Sequence, residues 1–488
     1  MTNSYHIFMF PFQWKIRGME NDILSRQINF DSIRFSADAN WERVVEPTLE
    51  KERQDLYNEK NYYYKFVHDA LYDNGNKCNN LVRHFERVEP KHSEVSYCIN
   101  CEGKTYELKV EAININFYST GVGLLSFYLR NENYSLLEDV LKINQFGRRV
   151  YPPFYNAIKS RSEIAESISI NGLHGKEKGY SEDFKSYGVT QDNLPSEMIT
   201  GMIREVATNI CVEPVIDDRM YLVSWYKNDE WIRRLCDTRR EKYLDNTEWY
   251  RFVFVDNQWP TCQNDDMMHK LLEKATYKRW QKWNSLYGVS RYSLVMATNA
   301  GEREQYLYDY FVTEYARMAE LILVQKASVL RFSSEVTNIS ELSNDKRLVK
   351  KVDSLYKEYI RFVNQIHFRE VTAQDQGIEM YNMLYETMGL EKQVEKLDGE
   401  IEELYNYVSL TQDRKTNSTM SLLTWIATIA VPITVVASIF GMNAIAFNGD
   451  GNGTLTEWYN HWGWQFVIML IFTAIVIITT VLIKNRKR

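Results

Sequence analysis

The sequence contains few cysteines, prolines and glycines, and its charge is nearly balanced. Its 488 residues include 6 cysteines, 9 prolines and 21 glycines, and 58 Lys+Arg against 65 Asp+Glu give a formal net charge of -7. So few cysteines exclude a disulfide framework. Without a basic excess, direct nucleic-acid binding is not expected. Hydrophobic residues at 44% and aromatic residues at 14% can fill a sizeable core, which excludes a disordered chain.

Charged residues are missing from two long stretches near the C-terminus. No charge occurs between Thr416 and Gly449, and the run Trp462–Ile483 is also uncharged. A helix of roughly 20 apolar residues crosses the ~30 Å hydrocarbon core of a bilayer. The sequence therefore predicts transmembrane helices over residues 420–440 and 462–483. A pair of buried core helices is the alternative.

The basic residues around these stretches predict an orientation. Arg414 and Lys415 precede the first stretch, the tail 484–488 reads KNRKR, and the intervening loop 441–461 has no Lys or Arg. Basic residues stay preferentially on the cytoplasmic side. We therefore expect a multi-pass protein of the inner or plasma membrane with both termini cytoplasmic.

The first uncharged stretch ends in the tripeptide Gly441-Met442-Asn443. This arrangement resembles the CorA family of divalent-cation channels, whose hallmark is a Gly-Met-Asn tripeptide at the outer end of the first of two C-terminal spans. Further residues match at the family's spacing from the tripeptide: Asn417, Leu423-Thr424, Ile426-Ala427-Thr428, Pro432 and, after the loop, Trp462-Gly463-Trp464.

The resemblance implies an ion path for hydrated Mg²⁺ or another divalent cation. Gly441, Met442 and Asn443 would form its selectivity filter, with Asn443 as the residue that contacts the metal. Neutral amide oxygens can hold a hydrated hard cation and still release it, as conduction requires. The residues that the resemblance places along the path are Asn417, Leu423, Val431 and Thr434. Val431 stands where the family commonly has methionine.

The outer loop departs from the family pattern. Glu457 arrives late, after an insertion, and is the candidate for attracting cations to the mouth of the path, together with Asp450. The segment 448–453 resembles the first half of a calcium-binding EF-hand loop. Its twelfth position is Tyr459 instead of glutamate, which favours a glycine-rich turn.

The remaining chain predicts an α/β cytosolic domain, a long helical stalk and two C-terminal transmembrane helices, a funnel like that of CorA. The domains are residues 1–300 (regulatory), 301–380 (helical hairpins), 381–440 (stalk and first span), 441–461 (outer loop), 462–483 (second span) and 484–488 (basic tail). Candidate strands are Tyr5–Phe12, Thr105–Phe117, Tyr221–Tyr226, Arg251–Asp256 and Tyr292–Thr298.

Apolar residues repeat at spacings of four and three before the first span. They either pack on the core of their own subunit or assemble around the axis of a homo-oligomer, which the resemblance implies is a pentamer. The repeat comprises Leu390, Val394, Leu397, Ile401, Leu404 and Val408.

Two places in the N-terminal region are candidates for ligand binding. Gly121 and Gly123 follow a predicted strand, and Arg148 and Arg149 precede the aromatic segment 151–154. Arginine beside aromatic rings suits a nucleotide. A β-turn and a solvated basic turn are the alternatives.

The sequence favours neither a zinc site nor an enzymatic active site. Cys98 and Cys101 are spaced like half of a zinc site, but the segment around them is typical of a β-hairpin and lacks a second pair. No nucleophile lies beside a base in a recognisable motif, so we do not expect an enzyme.

The N-terminal region also resembles the divergent CorA-like proteins associated with type III CRISPR systems. That resemblance implies a channel for antiviral defence, opened by a nucleotide messenger that conjugates S-adenosylmethionine and AMP. The alternatives are a housekeeping magnesium transporter gated by cytosolic Mg²⁺ and a membrane-tethered nucleotide-binding protein without conduction.

Overall fold

The computed structural model describes most of the chain up to Gly441. The described residues are 2–17, 32–36, 40–45, 54–75, 80–150, 164–174, 180–184, 196–217, 219–237, 241–299, 305–340, 346–441, and the single positions 463, 467, 471, 474 and 475. The chain divides into two compact units, Met1–Leu404 and Tyr405–Arg488.

The first unit is built on a large sheet to which the described residues contribute 13 strands. Its path runs β11-β12-β13-β10-β1-β6-β5-β4-β7-β8, with β9 paired to β1 and β3 joining β2 to β5. The strands are β1 Ser4–Ile16, β2 Trp41–Arg43, β3 Val82–Arg87, β4 Ser96–Cys101, β5 Lys104–Tyr118, β6 Val122–Asn131, β7 Ser167–Asn171, β8 Tyr180–Asp183, β9 Ile210–Pro214, β10 Tyr221–Lys227, β11 Thr276–Tyr277, β12 Ser285–Val289 and β13 Ser293–Thr298.

Helices flank this sheet and continue beyond it. They are α1 Gln54–Tyr62, α2 His68–Leu71, α3 Glu89–His92, α4 Leu137–Gly147, α5 Glu197–Val206, α6 Asp229–Leu235, α7 Thr247–Phe254, α8 Asp265–Ala275, α9 Gln305–Tyr310, α10 Ala316–Ser340, α11 Lys346–Gln365, α12 Asp375–Met388 and α13 Leu390–Gly441. A π-helical turn, Phe311–Tyr315, joins α9 to α10.

Strand β1 lies in the middle of the sheet and is buried on both faces. Phe8 and Phe10 belong to the main hydrophobic core, and on the same face His6 hydrogen-bonds Asn144 of α4, with 2.7 Å between Nδ1 and Oδ1. Burial lowers the pKa of His6 to about 4. On the opposite face the Tyr5 ring meets Tyr308 of α9 at 6.1 Å between centroids. Helices therefore cover the sheet on both sides.

Four of the five strand predictions are confirmed and one is wrong. The segment Arg251–Asp256 belongs largely to α7 and the turn after it. Its run of aromatic and β-branched residues favours a strand, but periodicity cannot separate a short buried helix from a strand. The helix is set by its N-cap, since Asn246 Oδ1 accepts the backbone N–H of Trp249 at 2.6 Å.

The helix expected to run unbroken from Tyr381 is interrupted. Gly389 has φ 63°, a left-handed conformation that ends α12, and α13 starts at the next residue. The first apolar positions of the repeat, Leu390, Leu397 and Ile401, are buried within the first unit. Packing on the chain's own core therefore accounts for these three positions.

The predicted fold class, an α/β domain followed by two transmembrane helices, is wrong both in its sheet and in its membrane helices. The N-terminal part is a large sheet in which β10 and β13 form the parallel pair among described pairings that are otherwise antiparallel. Turns of two or three residues join β4 to β5 and β5 to β6, and such short connections force antiparallel neighbours. When only the described residues are counted, no helix is both long enough and apolar enough to cross a membrane.

The same finding corrects the predicted localisation. A multi-pass protein of the inner or plasma membrane with cytoplasmic termini requires two helices that each carry about 20 apolar residues. The described part of the chain supplies no such helix, and α13, the longest, begins with a charged segment that includes Glu391, Lys392, Glu395 and Lys396. The prediction of a span over residues 420–440 is therefore not supported, and most of the second predicted span, 462–483, lies outside the described residues.

A buried ion-pair network ties β3 to the α5 side of the sheet. The Arg87 guanidinium is fully buried and donates to both carboxylate oxygens of Glu89 at 2.9 Å and to Glu205 at 2.5 Å. Trp41 and Tyr180 also donate to Glu205. The one guanidinium pairs with both carboxylates, and the hydrogen bonds from Trp41 and Tyr180 further stabilise Glu205 in this low-dielectric interior.

Replacing Arg87 by alanine tests this network. We expect Arg87→Ala to lower the free energy of unfolding by about 3–5 kcal/mol, because two carboxylates would remain buried without their cation. The exposed pair Lys357–Asp353 offers the control, and Lys357→Ala should cost about 0–1 kcal/mol. Thermal and urea unfolding followed by tryptophan fluorescence measure both changes. Equal effects of the two variants would contradict a structural role for the Arg87 network.

Candidate functional site

The end of α13 carries the residues that the sequence assigns to the ion path. Gly441 is its last residue, and Asn417, Leu423, Val431 and Thr434 lie within it. Met442, Asn443, Asp450 and Glu457 lie outside the described residues. The structure thus provides a helical frame for the path-lining candidates.

The four path-lining candidates share one side of the helix. Successive residues are rotated by about 100°, so Asn417, Leu423, Val431 and Thr434 fall within a sector of about 120°. Leu423 and Val431 are 55% and 57% exposed in the single chain. Exposure is not confined to this sector, since Leu422 and Ile426, which lie outside it, are 60% and 55% exposed.

Threonine hydroxyls along this helix bond to its own backbone. Thr434 Oγ1 donates to the carbonyl oxygen of Ala430 at 3.0 Å or of Val431 at 2.9 Å, and Thr424 and Thr428 donate to carbonyls four residues earlier at 2.7 Å. A hydroxyl has one proton and two lone pairs, so its oxygen keeps acceptor capacity. The Thr434 oxygen can therefore face a cation or its water.

Gly121 and Gly123 shape the turn between β5 and β6. Gly121 has φ 76°, which favours glycine, and a Cβ at Gly123 would overlap the Phe12 ring. The turn also packs on α10, since Thr120 Oγ1 lies 2.8 Å from Ser328 Oγ and Arg331 donates to the Thr120 carbonyl. Both glycines thus have structural roles in a turn that contacts the helical region.

Arg148 and Arg149 follow α4 and line a cavity. The cavity measures about 330 Å³, and Arg219 and Tyr292 line it as well. The backbones of Arg149 and Arg219 form an antiparallel bridge, which brings residues distant in sequence together. The aromatic segment 151–154, which the sequence paired with these arginines, lies outside the described residues.

The cysteine pair is part of the predicted hairpin. Cys98 and Cys101 lie on β4, which pairs with β5 in antiparallel register, and both side chains are buried. Burial raises the pKa of both thiols, that of Cys101 to about 12. In the described part of the chain, no group of three or more His, Cys, Asp or Glu side chains could hold a metal ion.

A buried carboxylate cluster, which the sequence reading missed, joins the sheet to α10. Arg317 donates to Glu59 at 3.2 Å and to Glu320 at 2.8 Å. Glu320 also accepts from Asn116 and Tyr118 of β5. The only signal in the sequence is the charged pair three residues apart on an otherwise apolar helix face.

Glu314 lies in the π-helical turn beside this cluster and is 5% exposed. Desolvation by burial raises its pKa to about 7, and the nearby Glu59 charge acts in the same direction. The Thr313 hydroxyl donates to its carboxylate, and Tyr63 donates to its backbone carbonyl. Glu314 is thus a carboxyl group that titrates close to neutral pH.

Contacts continue from α10 to the start of α13. Lys326 donates to Gln393 Oε1 at 2.6 Å and to the Met388 carbonyl at 3.2 Å. Gln325 donates to the Tyr381 hydroxyl at 2.9 Å. The sheet, α10, α12 and the start of α13 therefore form one connected series of polar contacts.

Comparison with known proteins finds a similar family for the C-terminal part of the chain. Residues 312–484 match the family model described as CorA-like Mg²⁺ transporter protein. This match supports the resemblance to CorA, and residues 312–484 are similar to CorA-like Mg²⁺ transporters. The β-sheet region before residue 312 lies outside the match. No curated protein and no solved structure matches the chain.

The raised pKa of Glu314 predicts a pH dependence of stability. The folded state holds this proton up to about pH 7, whereas the unfolded state loses it near 4.5. Its contribution to stability is therefore present below pH 4.5 and is lost as pH rises through 7. Glu314→Gln should raise stability at pH 8 by about 1–3 kcal/mol and change it little at pH 4.5.

Melting temperatures at a series of pH values measure this effect. The exposed Glu402 on α13 provides the control, and Glu402→Gln should leave the pH profile unchanged. A Glu314→Gln profile parallel to that of the wild type would show that this carboxyl group does not titrate in the expected range.

Proposed function

We propose that the chain is a subunit of a homo-oligomeric channel for divalent cations of the Mg²⁺ class. The observation that carries the proposal is the family match over residues 312–484, which includes the tripeptide Gly441-Met442-Asn443, whose glycine is the last residue of α13. A transporter of this kind performs no covalent chemistry, so the proposal places the chain outside the enzymes.

The ion path in this proposal is formed by copies of α13. One helix cannot enclose a path, but several copies around an axis can, and the resemblance to CorA implies five. Their exposed apolar positions, Leu423 and Val431, would then face one another as a constriction that closes by excluding water. Asn417 and Thr434 supply oxygen atoms on the same side of the helix.

Asn443 is the proposed selectivity filter, together with Gly441 and Met442. A ring of neutral amides offers oxygen to a hydrated divalent cation without the tight binding of a carboxylate ring. Asp450 and Glu457 follow in the outer loop, and their negative charge would raise the local cation concentration.

Control of opening is assigned to the N-terminal sheet. Polar contacts lead from β5 through Glu320 and Arg317 to α10, and from Lys326 to the start of α13. A rearrangement of the sheet has a physical route to α13 through these contacts. In this proposal the gating ligand is a nucleotide messenger, as in the CorA-like proteins of type III CRISPR defence. A housekeeping transporter would instead respond to Mg²⁺ itself.

Asn443→Ala tests the filter. We expect it to change divalent-cation flux by about tenfold or more, because the ring of amide oxygens would be lost. Asn448→Ala, in the same loop, is the matched control and should conduct as the wild type does. The measurement is uptake of Mg²⁺ into lipid vesicles containing the full chain, with a fluorescent indicator inside.

The controls separate two failures. Wild-type protein that passes no divalent ions with or without added nucleotide would refute the channel proposal. Equal flux through wild type and Asn443→Ala would refute the filter assignment alone.

Leu423 and Leu422 form a second matched pair for the same assay. They are adjacent and similarly exposed, at 55% and 60%, but about 100° of rotation places Leu422 outside the path-lining sector. Leu423→Ala should widen the constriction and raise the resting flux of Mg²⁺ roughly several-fold. Leu422→Ala should leave the resting flux unchanged. The same increase in both variants would contradict the assignment of a single path-lining side.

A further inference from the structure

The cavity beside Arg148 and Arg149 is built from four separate parts of the first unit. It is lined by the end of α4, by Arg219 before β10, by the turn after α7 and by Tyr292 before β13. Its volume of about 330 Å³ lies in the range of small-molecule sites. Segments far apart in the chain thus converge on one concave space.

The charges of this lining favour an anion. Arg148, Arg149 and Arg219 contribute three guanidinium groups, against a single carboxylate, Asp256. Arg148 is 1% exposed and Arg149 is 7% exposed, so both charges are held in a low-dielectric setting where an anion would be bound strongly. Guanidinium groups bind phosphate oxygens through paired hydrogen bonds.

Asp256 offsets only part of this positive charge. Its carboxylate accepts hydrogen bonds from the Thr261 backbone N–H at 2.7 Å and from the Thr261 hydroxyl at 2.8 Å. Arg219 is additionally paired with Asp217, with 3.0 Å between Nε and Oδ2. Among the described residues, three guanidinium groups thus face two carboxylates.

Two buried amides in the lining have unused hydrogen-bonding groups. Within the described residues, neither Asn257 Oδ1 nor Asn257 Nδ2 has a hydrogen-bond partner, nor has Gln145 Oε1. Asn257 is 2% exposed and Gln145 is 8% exposed. An unsatisfied buried polar group costs about 1–3 kcal/mol, so a ligand that pairs with both the donor and the acceptor of Asn257 would be favoured.

Aromatic rings provide a stacking surface at the same place. The Tyr292 ring lies 5.4 Å from the Arg148 guanidinium carbon and 4.8 Å from that of Arg219. Trp259, which also lines the cavity, is 75% exposed, an unusual exposure for so large an apolar side chain. A flat heteroaromatic group would cover such a ring.

The turn that presents Asn257 is strained and firmly held. Val255 has φ 58°, a conformation disfavoured for a β-branched residue. Arg251 donates to the Asn257 carbonyl and forms a two-point ion pair with Glu138, at 2.9 and 2.8 Å. Strain maintained by surrounding contacts is characteristic of ligand sites.

We propose that this cavity is a binding site for a nucleoside phosphate. The arginines bind the phosphate, Asn257 and Gln145 bond the edge of the base, and Trp259 stacks on it. That this ligand regulates opening rests on the proposed channel function, whereas its binding does not.

Calorimetric titration of the full chain tests the site with AMP, adenosine and inorganic phosphate. AMP should bind with a Kd below about 1 mM, and adenosine and phosphate should each bind about tenfold more weakly or worse, since each lacks half of the contacts. No AMP binding up to that concentration would overturn the proposal. Phosphate binding as tight as AMP would also overturn it, because it would reveal an adventitious anion site only.

Two variants localise the binding. Trp259→Ala, at an exposed position, should weaken AMP binding about 5- to 100-fold through lost stacking. Trp283→Ala, 50% exposed and outside the cavity lining, is its control and should leave AMP binding unchanged. Equal weakening by both tryptophan variants would contradict the site.

Arg149→Gln should weaken AMP binding about tenfold or more, and the exposed Arg233→Gln should not. Melting temperature shows whether each variant is folded. Wild-type protein that binds AMP but passes no divalent cations would refute the channel proposal and leave this site standing. Wild-type protein that passes divalent cations but does not bind AMP would refute this site and leave the channel proposal standing.

Discussion

The buried pairing of Arg317 with Glu59 and Glu320 is the interaction on which the arrangement of the first unit depends. A charge taken out of water is tolerated only beside its counter-charge, so α1, α10 and β5 must meet where these groups meet. The position of α10 on the sheet follows from this requirement. Through Gln325 and Lys326, α10 in turn holds α12 and the start of α13.

This arrangement joins a region that matches a known family to one that does not. The match begins at residue 312, within the π-helical turn that carries Glu314, and the sheet precedes it. The cavity lies entirely in the preceding region, and the path-lining candidates lie entirely in the matched one. The proposed ligand site and the proposed cation path therefore lie in different parts of one chain.

Elements whose geometry depends on residues adjacent in the sequence can be predicted from that sequence. The hairpin of β4 and β5 was readable because alternating residues flank a two-residue turn, and Gly389 ends a helix through its own φ. Arg251–Asp256 was misread because its apolar run suits either a strand or a buried helix. The expected membrane spans rested on apolar length alone, and the described helices do not support them.

The sequence by itself predicted the resemblance to CorA, which the match over residues 312–484 supports, and it singled out Arg148 and Arg149. Only the tertiary structure decided what surrounds those arginines. Arg219, Asn257 and Tyr292 lie between 70 and 144 residues away in the chain, and a sequence carries no local signal of such proximity. Sheet pairing and the turn after α7 bring them together, because long-range contacts are set by the packing of the whole unit and not by neighbouring residues.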